Sequence, residues 1–212
     1  MLELNKLYLM DCMEGMAQFP DNYFDLCLTD PPYNLNRTYN EYNDNRSDYK
    51  EWCFMWFTEL KRISKKVVLS VGVKNLSMWY DIEPPLWLWC WYKGNNMGSG
   101  SKYTNIGLWE PFLMYGEIER LGVDGKLLPI VPQKDAAFHD CPKPLKLIRH
   151  LINEFSEQGN KIIDPFAGSN TTGLACNIDN RNWIAFEIDQ DYYNAASKRI
   201  EIHKQQLRLP LI

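Results

Sequence analysis

The chain has 212 residues, 45% of them hydrophobic, enough to bury one sizeable core, and it is most simply read as a single domain over 1–212. A formal net charge of −4 argues against a protein that coats nucleic acid along its whole surface; only the 93–150 segment carries a slight basic excess, the local patch that an enzyme gripping a few phosphates needs. No apolar run approaches the ~20 residues that span a bilayer, and the first twenty residues hold no leader pattern, so the expectation is a soluble, cytoplasmic protein with no membrane partner. The six cysteines include no C-x-x-C pair and the three histidines have no helical H-x-x-x-H spacing, so no metal site is expected and the thiols read as reduced and buried.

In chain order, Leu7 to Met10 and Phe24 to Thr29 read as strands. Asp30-Pro31-Pro32-Tyr33 follows the second at once, and Asn34 to Asn45 is irregular. A helix is expected over Ser47 to Lys65, capped by Ser47, with Trp52, Met55, Trp56, Leu60 and Ile63 at three- and four-residue spacing. Val67 to Val71, Leu86 to Tyr92 and Leu108 to Tyr115 read as further strands, the last two separated by a second irregular segment, Gly94 to Asn105. Leu145, Ile148, Ile152 and Phe155 mark another helix; strands at Lys161 to Ile163 and Trp183 to Ile188 flank a short helix, Leu174 to Ile178; Tyr193, Ala196, Ile200 and Leu207 mark the last helix. The strands are apolar nearly throughout, as parallel strands covered on both faces should be. Alternation of such strands with amphipathic helices predicts an α/β, mostly parallel, doubly wound sheet, with ligands beyond the carboxyl ends of the strands.

Two motifs carry chemistry. In Lys161-Ile-Ile-Asp164-Pro-Phe166-Ala167-Gly168-Ser169-Asn170, a buried strand runs into a small-residue turn where Gly168 lets a ligand approach the backbone. Glu187 ends the next strand, 23 positions after Asp164, the spacing at which a carboxylate meets ribose hydroxyls. The P-loop lysine is absent, since Leu174 and Ala175 follow Gly173, and Asn170 breaks the dinucleotide pattern. A nucleoside without phosphates remains, with a turn that merely joins strand to helix as the alternative.

The second motif is Asp30-Pro31-Pro32-Tyr33. Two prolines fix φ and remove two N–H donors, which leaves carbonyls as acceptors. A carboxylate beside such a carbonyl suits the binding of a planar base by its exocyclic amino group: two acceptors, Asp30 and the Pro31 carbonyl, take both hydrogens, draw the nitrogen toward tetrahedral geometry and free its lone pair. Tyr33 would stack on the base. A plain Asp-Pro turn is the alternative.

Together these motifs resemble the amino-group DNA methyltransferases of the beta arrangement, the N6-adenine and N4-cytosine DNA methylases, in which the catalytic half precedes the cofactor-binding half. The resemblance covers nearly the whole chain and implies a Rossmann-like methyltransferase fold, S-adenosyl-L-methionine as cofactor, and double-stranded DNA with a flipped base as partner. It implies that Asp30, Pro31, Pro32 and Tyr33 are catalytic. Tyr8-Leu-Met-Asp11-Cys12 before a short helix is similar to the family strand whose Asp contacts the cofactor adenine, and His139-Asp-Cys-Pro-Lys143-Pro144 resembles the H-P-T-Q-K-P segment beside its methionine end. The cofactor-binding set is then Asp11, Cys12, Lys143, Asp164, Phe166, Ala167, Gly168, Ser169 and Glu187. The sequence departs from the family at Asn170, where Gly is usual, and at Asp140, Cys141 and Pro142, which replace Pro, Thr and Gln.

Family members acting on cytosine more often begin the tetrad with Ser, so Asp30 favours N6 of adenine; N4-cytosine methylation, an RNA substrate and a catalytically silent nucleic-acid-binding relative are the alternatives. The resemblance also implies a restriction-modification setting. Target recognition is expected within 34–47 with Arg37, 94–106 with Lys102, and 116–138 with Arg120, Lys126 and Lys134. Such small elements imply a short recognition sequence or the help of a second subunit. A homodimer is one such arrangement, because the tryptophan-rich segments 52–56 and 87–91 suit a partner as well as a core.

Overall fold

Nearly unbroken apolar runs assemble into one sheet, since a strand covered on both faces has no solvent side to fill with polar residues. The computed structural model describes residues 2–36, 38–39, 42–94, 107–118, 123–130, 134–139 and 141–208. Its elements are β1 (Lys6–Leu9), α1 (Cys12–Met16), β2 (Leu26–Thr29), β3 (Thr38–Tyr39), β4 (Tyr42–Asn43), α2 (Tyr49–Ile63), β5 (Lys66–Ser70), α3 (Leu76–Ile82), β6 (Trp87–Tyr92), β7 (Trp109–Gly116), β8 (Gly125–Leu127), α4 (Leu145–Phe155), β9 (Lys161–Asp164), α5 (Thr171–Ile178), β10 (Asn182–Glu187) and α6 (Gln190–Arg208). The eight-stranded sheet has the order β1-β10-β9-β2-β5-β7-β6-β8, and β3 pairs with β4 in a small hairpin.

The strands β1, β10, β9, β2 and β5 are mutually parallel, which bears out the mostly parallel α/β expectation. The seam between the amino-terminal and carboxyl-terminal halves is the β2–β9 pair, with Leu26 opposite Ile162 and Cys27 opposite Ile163. Side chains alternate across it. Leu26, Leu28 and Ile162 join one buried cluster with Leu151 of α4 and Ala175 of α5. Cys27 and Ile163 join the other with Met16 of α1, Trp56 of α2 and Trp79 of α3. Trp56, Trp89 and Trp91 are buried within the chain itself. Among the described residues no helix is long and apolar enough to cross a membrane.

Several local expectations are corrected. Strand β7 runs antiparallel to both β5 and β6; it too is buried on both faces, so its apolar run carries no sign of direction. Helix α2 starts at Tyr49 with Asp48, not Ser47, at its N-cap position; the Asp48 carboxylate is held by the Arg46 guanidinium at 2.8 and 3.0 Å. The buried stripe of α2 is Tyr49, Cys53, Trp56, Phe57, Leu60 and Ile63, while Met55 is 53% exposed. Phe54 and Met55 carry the apolar run onto the exposed face, so spacing alone does not single out the inner one. Of the expected recognition elements, Arg37, Lys102 and Arg120 lie outside the described residues, Lys126 is on β8, and Lys134 opens a 3-10 turn.

The turn after β9 shows how the chain accommodates Asn170. The residue adopts a left-handed backbone, φ 53° and ψ 42°, as N-cap of α5, and its side-chain oxygen accepts the Gly173 N–H at 3.1 Å. Asn is among the few non-glycine residues that visit this region routinely. A Cβ on Gly173 would sit 2.5 Å from the Asn170 oxygen, so glycine there makes the cap possible. The exchange of Gly for Asn therefore keeps the turn and adds a cap. Asn170→Ala should lower stability by ~1–3 kcal/mol through the lost cap and a left-handed alanine, whereas Asn170→Gly should stay within ~0.5 kcal/mol of wild type. Thermal denaturation of both variants checks this, and equal melting of the two would refute the account from the left-handed backbone.

Candidate active site

The carboxyl ends of the parallel strands open on a cavity of about 380 Å³. The chain after β1 brings Asp11 and Cys12 to it, the chain after β2 brings Asp30, Pro31, Pro32 and Tyr33, the loop after β9 brings Phe166 and Gly168, and β10 ends in it with Glu187. Lys143 reaches in from the segment before α4. Asp164, Ala167 and Ser169 line a smaller adjoining cavity of about 60 Å³, which shares Asp30, His139, Lys143, Phe166 and Gly168 with the larger one.

The loop is tied to the acid opposite it. Gly168 has φ +50°, and its N–H donates to Glu187 Oε2 at 2.8 Å. The other carboxylate oxygen accepts the N–H groups of Ile188 and Asp189, both at 2.9 Å. Burial raises the Glu187 pKa, and these three backbone donors hold the rise back. A Cβ on Gly168 would lie 2.7 Å from His139 Nε2, so a side chain there would collide with the imidazole, which itself packs on the Tyr192 ring at 4.7 Å between centroids. Asp11 Oδ1 accepts Met13 N–H at 2.8 Å and Glu14 N–H at 3.4 Å, capping α1. Burial pushes the Cys12 thiol up to about 12, so this residue is a neutral part of the wall, not a nucleophile.

The other three loop residues are each held by contacts within the chain. Asp164 Oδ1 accepts the Thr29 hydroxyl at 2.8 Å and the Phe166 N–H at 3.2 Å. Ala167 N–H donates to the Phe186 carbonyl at 2.9 Å. The Ser169 carbonyl accepts from Arg199 at 2.9 Å.

In the tetrad, Asp30 is gripped from two sides. Its Oδ1 accepts the Tyr33 hydroxyl, and its Oδ2 accepts the Lys143 ammonium at 2.5 Å. The Tyr33 hydroxyl also meets Ser70 Oγ at 2.5 Å, and a Cβ on Gly72 would lie 2.9 Å from the Tyr33 ring. Sequence reasoning gave Tyr33 only a stacking ring; the structure adds a hydroxyl that holds Asp30. Burial, then the charge of Asp30, holds the Tyr33 pKa well above its usual value. Pro32 O accepts from the Tyr49 hydroxyl at 2.8 Å and Tyr33 O from Asn75 at 2.9 Å.

Lys143, expected beside the cofactor, sits on Asp30 and 3.6 Å from Glu110 Oε2. Burial pushes its pKa down, but the charges of Asp30 and Glu110 outweigh this and raise it above the ordinary lysine value. Ser70 and Glu110 were missed from sequence. Glu110 did leave a signal, as the single acid in the apolar run Leu108 to Tyr115.

A family model described as DNA methylase, of the N6/N4 methyltransferase type, matches residues 82–198. Type II methyltransferase M.HpaI of Haemophilus parainfluenzae is 25% identical over 232 aligned positions, covering 92% of this chain and 74% of that protein. Type II methyltransferase M2.MboI of Moraxella bovis is 23% identical, covering 91% and 86%. Among solved structures, the M1.HpyAVI–SAM complex superposes with a TM-score of 0.72 at 20% identity, covering 92% of this chain and 98% of that one. The cytosine-N4-specific PvuII DNA methyltransferase gives 0.72 at 19% identity, covering 94% and 90%. These structural likenesses show the Rossmann-like methyltransferase fold.

Asp164 generates a prediction of its own. The residue is 5% exposed, and burial raises its pKa from 3.8 to about 6. The unfolded chain releases the Asp164 proton at lower pH than the folded one, so this group's contribution to stability falls as pH rises from near 4 through 6. Asp164→Asn keeps an oxygen for Thr29 and Phe166 and turns an amide toward the Thr172 hydroxyl, which can accept as well as donate, without that cost. Chemical denaturation should find Asp164→Asn more stable than wild type by ~1–3 kcal/mol at pH 7, with the difference vanishing near pH 4. A variant less stable at pH 7 would show that the charge is needed there.

Proposed function

This chain belongs to the DNA methylase family, and from that premise we propose that it uses S-adenosylmethionine to methylate the exocyclic amino group of a base in double-stranded DNA, N6 of adenine in preference to N4 of cytosine. The observation that carries the reading is the cavity wall shared by Asp30–Tyr33 with Phe166, Gly168 and Glu187. It sets an acceptor pair for an amino group against a nucleoside-binding loop.

The residues fit the cofactor. Gly168 keeps the loop backbone bare where a Cβ would meet His139, and Glu187 is aimed by three backbone N–H groups, with one lone pair of Oε2 left for a ribose hydroxyl. Asp11 and Phe166 complete that end of the cavity. When bound, S-adenosylmethionine supplies an electrophilic methyl group. The protein's task is to make a delocalised amino nitrogen nucleophilic. Asp30 accepts one amino hydrogen and the Pro31 carbonyl the other, which favours the tetrahedral nitrogen of the transition state over the planar ground state. The Tyr33 hydroxyl and Ser70 hold the Asp30 carboxylate in one orientation. A base inside a duplex cannot reach this pocket and must leave the stack.

The family resemblance ties Asp at the first tetrad position to adenine, which supports N6. The fold favours neither target, since its neighbours include a cytosine-N4-specific enzyme. The Type II names of the relatives support a restriction-modification setting.

Labelled methyl transfer to unmethylated DNA and to RNA, followed by nucleoside analysis, tests the reading. Label is expected in N6-methyldeoxyadenosine; label in N4-methyldeoxycytidine would overturn the choice of base, and label in RNA alone the choice of nucleic acid. Asp30→Ala should reduce single-turnover transfer at least ~100-fold with cofactor affinity nearly unchanged. Glu187→Ala should instead weaken cofactor binding by ~1.5–3 kcal/mol, measured by calorimetry.

A further inference from the structure

We propose that Lys143 is a displaceable occupant of the acceptor site at Asp30, and that Glu110 is the positioning residue that receives its ammonium when the target amino group arrives. The inference rests on the amino-methylation reading above.

The Lys143 ammonium is 2.5 Å from Asp30 Oδ2 and 3.6 Å from Glu110 Oε2, with only 13% of its side chain exposed. It therefore stands where the reading puts an amino N–H of the flipped base. An amino group and an ammonium present the same kind of donor to a carboxylate oxygen, so one can replace the other; a keto oxygen has no hydrogen to offer. Leaving Asp30 is costly for a buried ammonium unless a second anion receives it.

Glu110 has the features of that second seat. Its side chain is 15% exposed, and its Oε1 lies 3.5 Å from the Lys93 ammonium. Its Oε2 is buried without a hydrogen-bond partner. A shift of about 1 Å by Lys143 closes the gap to ordinary hydrogen-bond length. Asp30 keeps its Tyr33 hydroxyl during the exchange, and 29% of its side chain is exposed. Lys143 thus closes the acceptor site until a base with an amino donor enters.

The test uses single-turnover methyl transfer to unmethylated genomic DNA at saturating cofactor, with cofactor affinity and circular dichroism recorded for each variant. Glu110→Gln, which is isosteric, should slow transfer about tenfold or more, because the ammonium loses the anion that stands beside its seat on Asp30. Cofactor affinity should not change. Adding Lys143→Met to Glu110→Gln should make transfer faster than in Glu110→Gln alone, because nothing then competes for Asp30. DNA affinity measured with the demethylated cofactor should move in the same sense, weaker in the single variant than in the double. Glu110→Met provides a second form of the same comparison if Glu110→Gln does not fold. A wild-type rate for Glu110→Gln, or a double variant no faster than the single, would overturn the proposal. Failure of the wild-type protein to transfer any methyl group would overturn the underlying reading and this inference with it, before any variant is compared.

Discussion

A buried hydrogen bond 2.8 Å long, from the Thr29 hydroxyl to the Asp164 carboxylate, joins residues 135 apart, and the whole site is arranged around it. Thr29 is the last residue of β2 and Asp164 the last of β9, the two strands that pair at the seam between the halves of the chain. One residue further on, β2 releases Asp30 and β9 releases Pro165, so the tetrad and the glycine loop leave the sheet side by side. Parallel pairing places both strand ends on the same rim, which is where a doubly wound sheet can hold a ligand. The tetrad and the glycine loop lie far apart in the chain but share one cavity wall because of this register. A one-residue slip of β9 against β2 would exchange the faces of Ile162 and Ile163 and break both buried clusters. The core therefore enforces the register that the site needs.

The carboxylates at this rim are compensated in three different ways. Asp164 is given the Thr29 hydroxyl and the Phe166 N–H, and burial still raises its pKa to about 6. Glu187 is given three backbone N–H groups, donors that the loop and the start of α6 cannot withdraw without unfolding locally. Asp30 is given a phenol and an ammonium on a flexible stem. Fixed donors suit a carboxylate that orients a ligand by its remaining lone pair. A removable donor suits one whose lone pair the substrate must claim. Rigidity is thus distributed along the rim as the proposed roles of these acids require.

Much of this was legible in the sequence, for physical reasons that differ between elements. The strands β2, β5, β9 and β10 were visible because burial on both faces leaves continuous apolar runs. The tetrad and glycine loop were visible because their residue types restrict chemistry: two prolines remove donors, and a glycine between small residues admits a ligand. What escaped depends on tertiary contacts. The seven-residue helix α3 is too short for a periodic signal, and β8 is a three-residue strand that pairs with β6 at the end of the described sheet. Asn170 looked like a loss because the pattern wanted glycine, yet its left-handed backbone and its bond to Gly173 are a local solution of another kind. The Tyr33 hydroxyl and Ser70 are 37 residues apart, and nothing in either segment announces their contact.

Glu110 reaches the rim because of the one reversal of direction next to the parallel block. A parallel strand carries its first residues to the opposite edge of the sheet and brings only its last to the site. Strand β7 is antiparallel to β5, with Phe112 opposite Ser70, so residues near the start of β7 lie beside the end of β5. The same reversal sets β6 against β7, with Tyr92 opposite Trp109, and brings Lys93 to within 3.5 Å of Glu110. The result is a row of alternating charge, Lys93, Glu110, Lys143 and Asp30, that starts beside the antiparallel strands and ends at the tetrad. Each member is partly or wholly shielded from water, and alternation of sign lets them be buried together where single charges would not be tolerated. Had β7 run parallel, Glu110 would lie at the far edge, away from Lys143. The antiparallel strand thus does for Asp30 what the β2–β9 seam does for the loop: it sets near it a residue that chain order alone would keep away.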